Sequence, residues 1–199
     1  MAVHVIHPRL FALFGLLGVL FCLGAESSAQ ADAQVSARLG VGGGVAAPPL
    51  GDVFGVFEMR LASELLFGPA QSNAFRIGPA LDLRTANFES LEAAVGLTAL
   101  LPVMSEMPLW VTLGGGYAAR QFGDDHAFGL ATVAWGLRSY NYHYPYGYGV
   151  GVYLSTRFDL MAPQQFEVTA GVEIDLALLL VLPTMAIITW MGGGDPDEP

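Results

Sequence analysis

Between Pro145 and Leu178 hydrophobicity changes with a period of two residues, and no other feature constrains the fold as much. Tyr146, Tyr148, Val150, Val152, Leu154, Thr156, Phe158 and Leu160 occupy one parity, with Gly147, Gly149, Gly151, Tyr153, Ser155, Arg157 and Asp159 between them. After Met161-Ala-Pro-Gln the pattern resumes as Phe166, Val168, Ala170, Val172, Ile174, Leu176 and Leu178 against Gln165, Glu167, Thr169, Gly171, Glu173 and Asp175. A period of two puts each set on its own face of a sheet, and the break at Pro163 makes the stretch a hairpin.

The same code runs back to Gln34. Val35, Ala37, Leu39, Val41 and Val45 alternate with Ser36, Arg38, Gly40, Gly42 and Gly44, up to a Pro- and Gly-rich turn at 46–52. Phe57, Met59, Leu61 and Leu65 then oppose Glu58, Arg60, Ala62 and Glu64, and after the turn at 68–73 Phe75, Ile77, Pro79, Leu81 and Leu83 oppose Arg76, Gly78, Ala80, Asp82 and Arg84. Pro79 lacks a ladder donor and suggests an edge or a bulge. Leu91, Ala93, Val95, Leu97 and Ala99 face away from Glu92, Ala94, Gly96 and Thr98, and Leu109, Val111, Leu113 and Tyr117 from Thr112, Gly114, Gly116 and Arg120. The sixth segment, 128–139, sends Val133, Trp135 and Leu137 one way and Thr132, Ala134, Gly136 and Arg138 the other. Phe128 and Leu130 there break parity and suggest a bulge. The result is eight strands with short connections and no helical period between them: an all-β, closed antiparallel up-and-down barrel.

The polar face decides which side is inside. It is crowded with glycine, alanine and threonine, which a narrow closed cylinder requires and a solvated exterior does not. It also holds Arg38, Arg60, Arg76, Arg84, Arg120, Arg138 and Arg157 with Glu58, Glu64, Asp82, Glu92, Asp159, Glu167, Glu173 and Asp175. An arginine on a lipid-facing wall costs about 2–4 kcal/mol at mid-membrane, whereas in a lumen it meets carboxylates. The expected arrangement is a transmembrane barrel with a lumenal charge network. A soluble lipocalin-like barrel is the alternative that alternation leaves open.

Composition agrees with that choice. The chain of 199 residues is 53% hydrophobic and 13% charged and contains no lysine, an unusual surface for a soluble globule. Arg9, the apolar run 10–25 and Ala29-Gln30-Ala31 read as a secretory signal peptide spanning 1–31, followed by a barrel at 32–182. Phe21 stands where a lipoprotein signal needs a small residue, so Cys22 reads as part of the apolar run. Without residues 1–31 the chain keeps 7 arginines against 17 acids, still −10, and no cysteine, so no disulfide framework is expected and nucleic acid is an unsuitable partner.

The signal peptide, alternating segments, Gly-rich inner face and aromatic flanks resemble the small eight-stranded bacterial outer-membrane barrels, the OmpA-like and opacity-type group. The resemblance covers 34–178, rests on pattern, and implies residence in the outer membrane with both ends in the periplasm. Two features depart from that group. Its surface loops are usually long, and its chains often end on a terminal aromatic. Here the apolar run 176–190 continues into an acidic, Gly-rich tail within 183–199, for which an interfacial helix anchored by Trp190 is the expectation.

No catalytic constellation emerges. His126 and His143 lie in or beside turns, neither has a serine at a useful spacing, and there is no G-x-S-x-G, so an enzyme is not expected. Asp124-Asp125-His126 could ligate a cation but reads better as a solvated turn, and the tyrosines from 140 to 148 read better as an interfacial girdle than as a sugar platform. No metal or cofactor is implied; the expected partner is outer-membrane lipid, around a monomer, and the sequence points to no protein partner. Eight strands enclose an interior that side chains just fill, so the lumen is read as a plug. The corresponding role is structural or surface-interacting in the envelope. The alternatives are a narrow channel or apolar-ligand transporter, and a soluble periplasmic binding barrel.

Overall fold

The computed structural model describes residues 33–48, 52–69, 74–104, 107–120, 125–137, 149–162 and 164–176. The signal segment, Asp124, His143, the tyrosine series at 140–148, Arg138, the side chain of Arg120 and everything after 176 lie outside the described residues.

Eight strands form a closed barrel in which every strand pairs antiparallel with its sequence neighbour and β8 returns to β1. They are β1 (Gln34–Ala47), β2 (Phe54–Leu66), β3 (Arg76–Ala86), β4 (Ser90–Leu101), β5 (Leu109–Arg120), β6 (His126–Gly136), β7 (Val150–Asp159) and β8 (Phe166–Asp175). The register carries Ser36 through Glu64, Ala80, Gly96, Gly114, Leu130, Arg157 and Glu167 back to Ala46, a shear of ten residues in one circuit. With about 3.3 Å per residue and about 4.8 Å between strands, this shear tilts the strands by about 40°. At that tilt ten to fourteen residues rise about 25–35 Å, enough to cross a hydrocarbon core.

The parity read from the sequence sorts inside from outside. Outward Leu113 and Val152 are 61% and 51% exposed, whereas inward Glu58, Glu64 and Arg84 are 0%, 1% and 2% exposed. A soluble carrier would have these reversed, its apolar residues lining the cavity. An apolar exterior around a charged interior is the arrangement of a membrane-spanning barrel. Exposed aromatic residues gather near both ends of the wall: Phe57, Phe88, Tyr117, Phe158 and Phe166 at one, Phe67, Phe75 and Trp135 at the other. Trp135 Nε1 also donates to the carbonyl of Met107 at 3.1 Å, tying the β4–β5 connection to the wall.

Three sequence expectations need correction. Phe128 and Leu130 do not mark a bulge, because β6 keeps unbroken register with both neighbours and the two side chains point inward, 2% and 4% exposed. They are apolar lumen filling, which alternation by itself assigns to lipid. Pro79 sits neither on an edge nor in a bulge. Its pairing with Leu97 on β4 is regular, while the β2 ladder stops at Glu64–Ala80 and resumes only at the Phe67–Ile77 bridge. The missing N–H of proline interrupts the hydrogen-bond ladder on one side only, while the strands stay close, a Cβ at Gly78 running into the Leu65 carbonyl. The connections are also less uniform than expected: three residues separate β3 from β4, and thirteen separate β6 from β7.

Candidate functional site: the lumenal ion network

The inward parity of β1, β2, β3, β7 and β8, with Glu92 of β4, brings the expected charges together in the lumen, where they form two groups. Towards the terminus-bearing end, Arg38 holds Glu64 through two N–O contacts of 2.8 and 3.2 Å and reaches Glu173 at 3.0 Å. Its guanidinium lies 4.8 Å from the centre of the Trp110 ring, so the cation is clamped between carboxylates and an aromatic face. Arg76 donates to Gln34 Oε1 and, at 3.0 Å, to the Pro69 carbonyl. Asp175 is buried at the same end.

The second group is denser. Arg60 meets Asp82 at 2.6 Å; Arg84 meets Glu58 at 2.7 Å, Glu92 at 3.3 Å and also Glu167; Arg157 meets Asp82 at 2.8 Å, Glu92 at 3.3 Å and Glu58 at 3.4 Å. Glu58, Asp82 and Glu92 are each shared between two arginines, so the three cations and four acids form one connected cluster. Asp159, on the same inward parity, accepts from the backbone N–H groups of Met161 and Ala162 at 2.7 and 3.1 Å and shapes the β7–β8 turn.

Residue pairs summing to 324 align β7 with β8, as parity and charge together require: Tyr153 stands opposite Gly171 and Arg157 opposite Glu167. The facing pair is nevertheless not the ion pair. Glu167 goes to Arg84 on the far wall, and Arg157 turns to acids of β2, β3 and β4. A guanidinium on a three-carbon stem reaches the axis of so narrow a barrel, where it meets several carboxylates instead of one.

Between the two groups lies Tyr153, buried at 3% exposure. Its ring can lie along the wall because β1 and β8 present glycines there. A Cβ added at Gly171 would stand 2.6 Å from the tyrosine hydroxyl, and one at Gly40 would stand 3.2 Å from the ring. Arg60 stacks on the same ring, 4.6 Å from its centre. Ring and guanidinium form a buried stack between the two ionic groups.

The opposite wall carries no charge between Trp110 and Ala118 on β5 or between Phe128 and Gly136 on β6. Thr98 and Thr112 share a 2.6 Å hydroxyl contact, and Thr132 and Ser155 one of 3.0 Å. Leu66, Leu100, Trp110 and Ala134 pack around Tyr153, while Ala94, Ala118, Phe128 and Leu130 fill the other half. Trp110 was the inward residue hardest to find by sequence, although its parity matches Thr112 and should have revealed it. At the hairpin mouth a recess of about 100 Å³ is lined by residues that include Phe54, Glu92, His126, Phe128, Arg157 and Glu167.

No protein-family description matches the chain, and no curated protein does. Solved structures similar to it include the following two. One is the de novo designed TMB2.3, at 9% identity and a TM-score of 0.38 over 72% of this chain and 95% of that one. The other is Ail, the attachment invasion locus protein of Yersinia pestis, solved with the heparin analogue sucrose octasulfate. It matches at 11% identity and a TM-score of 0.38 over 72% of this chain and 98% of that one.

Proposed function

We propose that this barrel works in the outer membrane with a structural or surface-contact role in the envelope, and that its lumen is a plug and not a conduit. The observation that carries the reading is the buried stack of Tyr153 and Arg60, with ion-paired groups on both sides of it. To pass, a hydrated solute would have to separate arginines from carboxylates in a low-dielectric interior, and breaking such pairs leaves uncompensated charge. Delivery to the outer membrane after cleavage behind Ala31 belongs to the same proposal, as do a monomeric state and lipid as the main partner.

Planar-bilayer recording of the refolded, purified chain tests the plug. Little or no steady conductance is expected; large, stable porin-like steps would overturn it. Heat-dependent gel migration of detergent-extracted protein tests the closed barrel separately.

A further inference from the structure

The hairpin end of the barrel is finished in an unusual way. The β3–β4 connection has three residues, and two of them, Asn87 and Phe88, have left-handed backbone conformations with φ of 50° and 59°. Asparagine tolerates that region, but a phenylalanine there is uncommon and strained. The strain is held by a staple to the neighbouring strand: Asn87 N donates to the Phe57 carbonyl at 2.8 Å, and Phe57 N donates to Asn87 Oδ1 at 2.8 Å. The result fixes the Phe88 ring 5.6 Å from that of Phe57 while leaving Phe88 67% exposed.

A second hairpin at this end repeats the device with different residues. Asp159 Oδ1 accepts from the N–H groups of Met161 and Ala162, and the turn so shaped presents Leu160 and Met161, 52% and 89% exposed. In both turns an Asx side chain rigidifies the backbone, and the tip it holds out is a large apolar side chain. In water that spends backbone strain to expose hydrocarbon, with nothing gained. Both tips continue the apolar outer wall that ends in Phe57, Tyr117, Phe158 and Phe166.

We infer that the β3–β4 and β7–β8 turn tips are docking points for the bilayer itself, with Phe88 and Met161 set into the boundary between headgroups and acyl chains. The hairpin mouth then lies flush with the membrane and does not project into water. This inference rests on the membrane-barrel reading above and adds a depth and two contact residues to it. The partner is lipid hydrocarbon: the two side chains held out, Phe88 and Met161, are apolar and continuous with the wall that faces it, and the one charge in these turns, the exposed Glu89 beside Phe88, is suited to the headgroup level.

Nitroxide depth measurement tests the inference in the full chain reconstituted into phosphatidylcholine–phosphatidylglycerol vesicles. Single cysteines are placed in a Cys22→Ser background by Phe88→Cys and Met161→Cys. Val152→Cys serves as the outer-wall reference and Gln164→Cys as the reference for a polar, exposed residue of the hairpin end. The readout is accessibility to oxygen relative to a water-soluble nickel chelate. Labels at 88 and 161 should give ratios several-fold above that at 164 and approaching that at 152. If 152 is lipid-embedded while 88 and 161 match 164, the docking inference is wrong and the membrane barrel stands. If 152 itself is freely accessible to the chelate, the membrane reading fails and this inference with it.

Discussion

The two walls of the lumen solve the same packing problem by different means. Strands β1, β2, β3, β7 and β8 fill it with long charged side chains crossing towards the axis, whereas β5 and β6 fill it with small residues and a few apolar ones. Where the uncharged wall begins, β5 and β4, whose Glu92 belongs to the ionic cluster, press close. Gly96 faces Gly114 in register, and a Cβ added to either would stand 2.8 or 3.0 Å from the Cα of the other. On the charged wall glycine does two things: at Gly44 and Gly171 it lets β1 and β8 approach as closely, a Cβ there running into the Val168 or Val41 carbonyl, and at Gly40, Gly42 and Gly171 it also clears the space occupied by Tyr153 and Arg60. Close backbone approach therefore serves both sides of this narrow barrel, and the ionic lattice is added on one. The difference matters energetically. Close packing fails locally when perturbed, but a lattice of shared carboxylates fails as a unit.

The largest effect should come from the lattice. Arg84→Ala removes a fully buried guanidinium that serves Glu58, Glu92 and Glu167, leaving carboxylates without their shared cation. Losing one partner of a buried ionic set costs about 3–5 kcal/mol. Urea unfolding in lipid vesicles should show it as a lowered midpoint. A loss under about 1 kcal/mol would mean that the charged wall is hydrated and that the contrast between the walls is one of composition only.

That contrast was only partly legible in the sequence. Strand number, face assignment and the β7–β8 register follow from period-two patterning and from the like-charge clash that a slip by two would create between Asp159 and Glu167. Which arginine pairs with which acid does not follow, because facing position fixes the Cα and not the far end of a long side chain; Arg157 and Glu167 demonstrate it. Nor do Phe128, Leu130 and Trp110 announce themselves, since an apolar residue of inward parity resembles a register error until a lumen needs filling. The asymmetry between the walls is visible in principle, because the inward positions from Trp110 to Ala118 and from Phe128 to Gly136 lack charge.

The outer face supplies an intermediate effect, shared by neither lumen wall. Val152 projects to lipid from the third position of β7, opposite outward Val172 and Trp135, and is 51% exposed. Val152→Arg puts a guanidinium into hydrocarbon with no carboxylate in reach, at a cost that is about 2–4 kcal/mol at the midplane and falls towards the Trp135 end. The deficit should be seen in vesicle unfolding and should shrink in detergent, whose headgroups come closer. A harmless Val152→Arg in vesicles would place the wall in water.

The smallest change is the sharpest check on orientation, because it lies three residues from Val152 on the other parity. Ser155 is buried at 1% exposure and faces Thr132, with 3.0 Å between the two hydroxyl oxygens. Ser155→Ala leaves backbone pairing intact, adds no volume to the crowded seam between β6 and β7, and removes one member of a hydroxyl pair. Thr132 keeps its hydroxyl and can rotate it towards its own strand's carbonyls, so the net loss is that of one neutral hydrogen bond, about 1 kcal/mol. Unfolding midpoints of the two variants, measured side by side in the same vesicles, therefore rank Ser155→Ala well above Val152→Arg in stability. The reverse order would invert inside and outside and undo the assignment of every residue on both parities. Equal losses at 152 and 155 would point to a barrel wet on both faces, in which neither wall is the buried one.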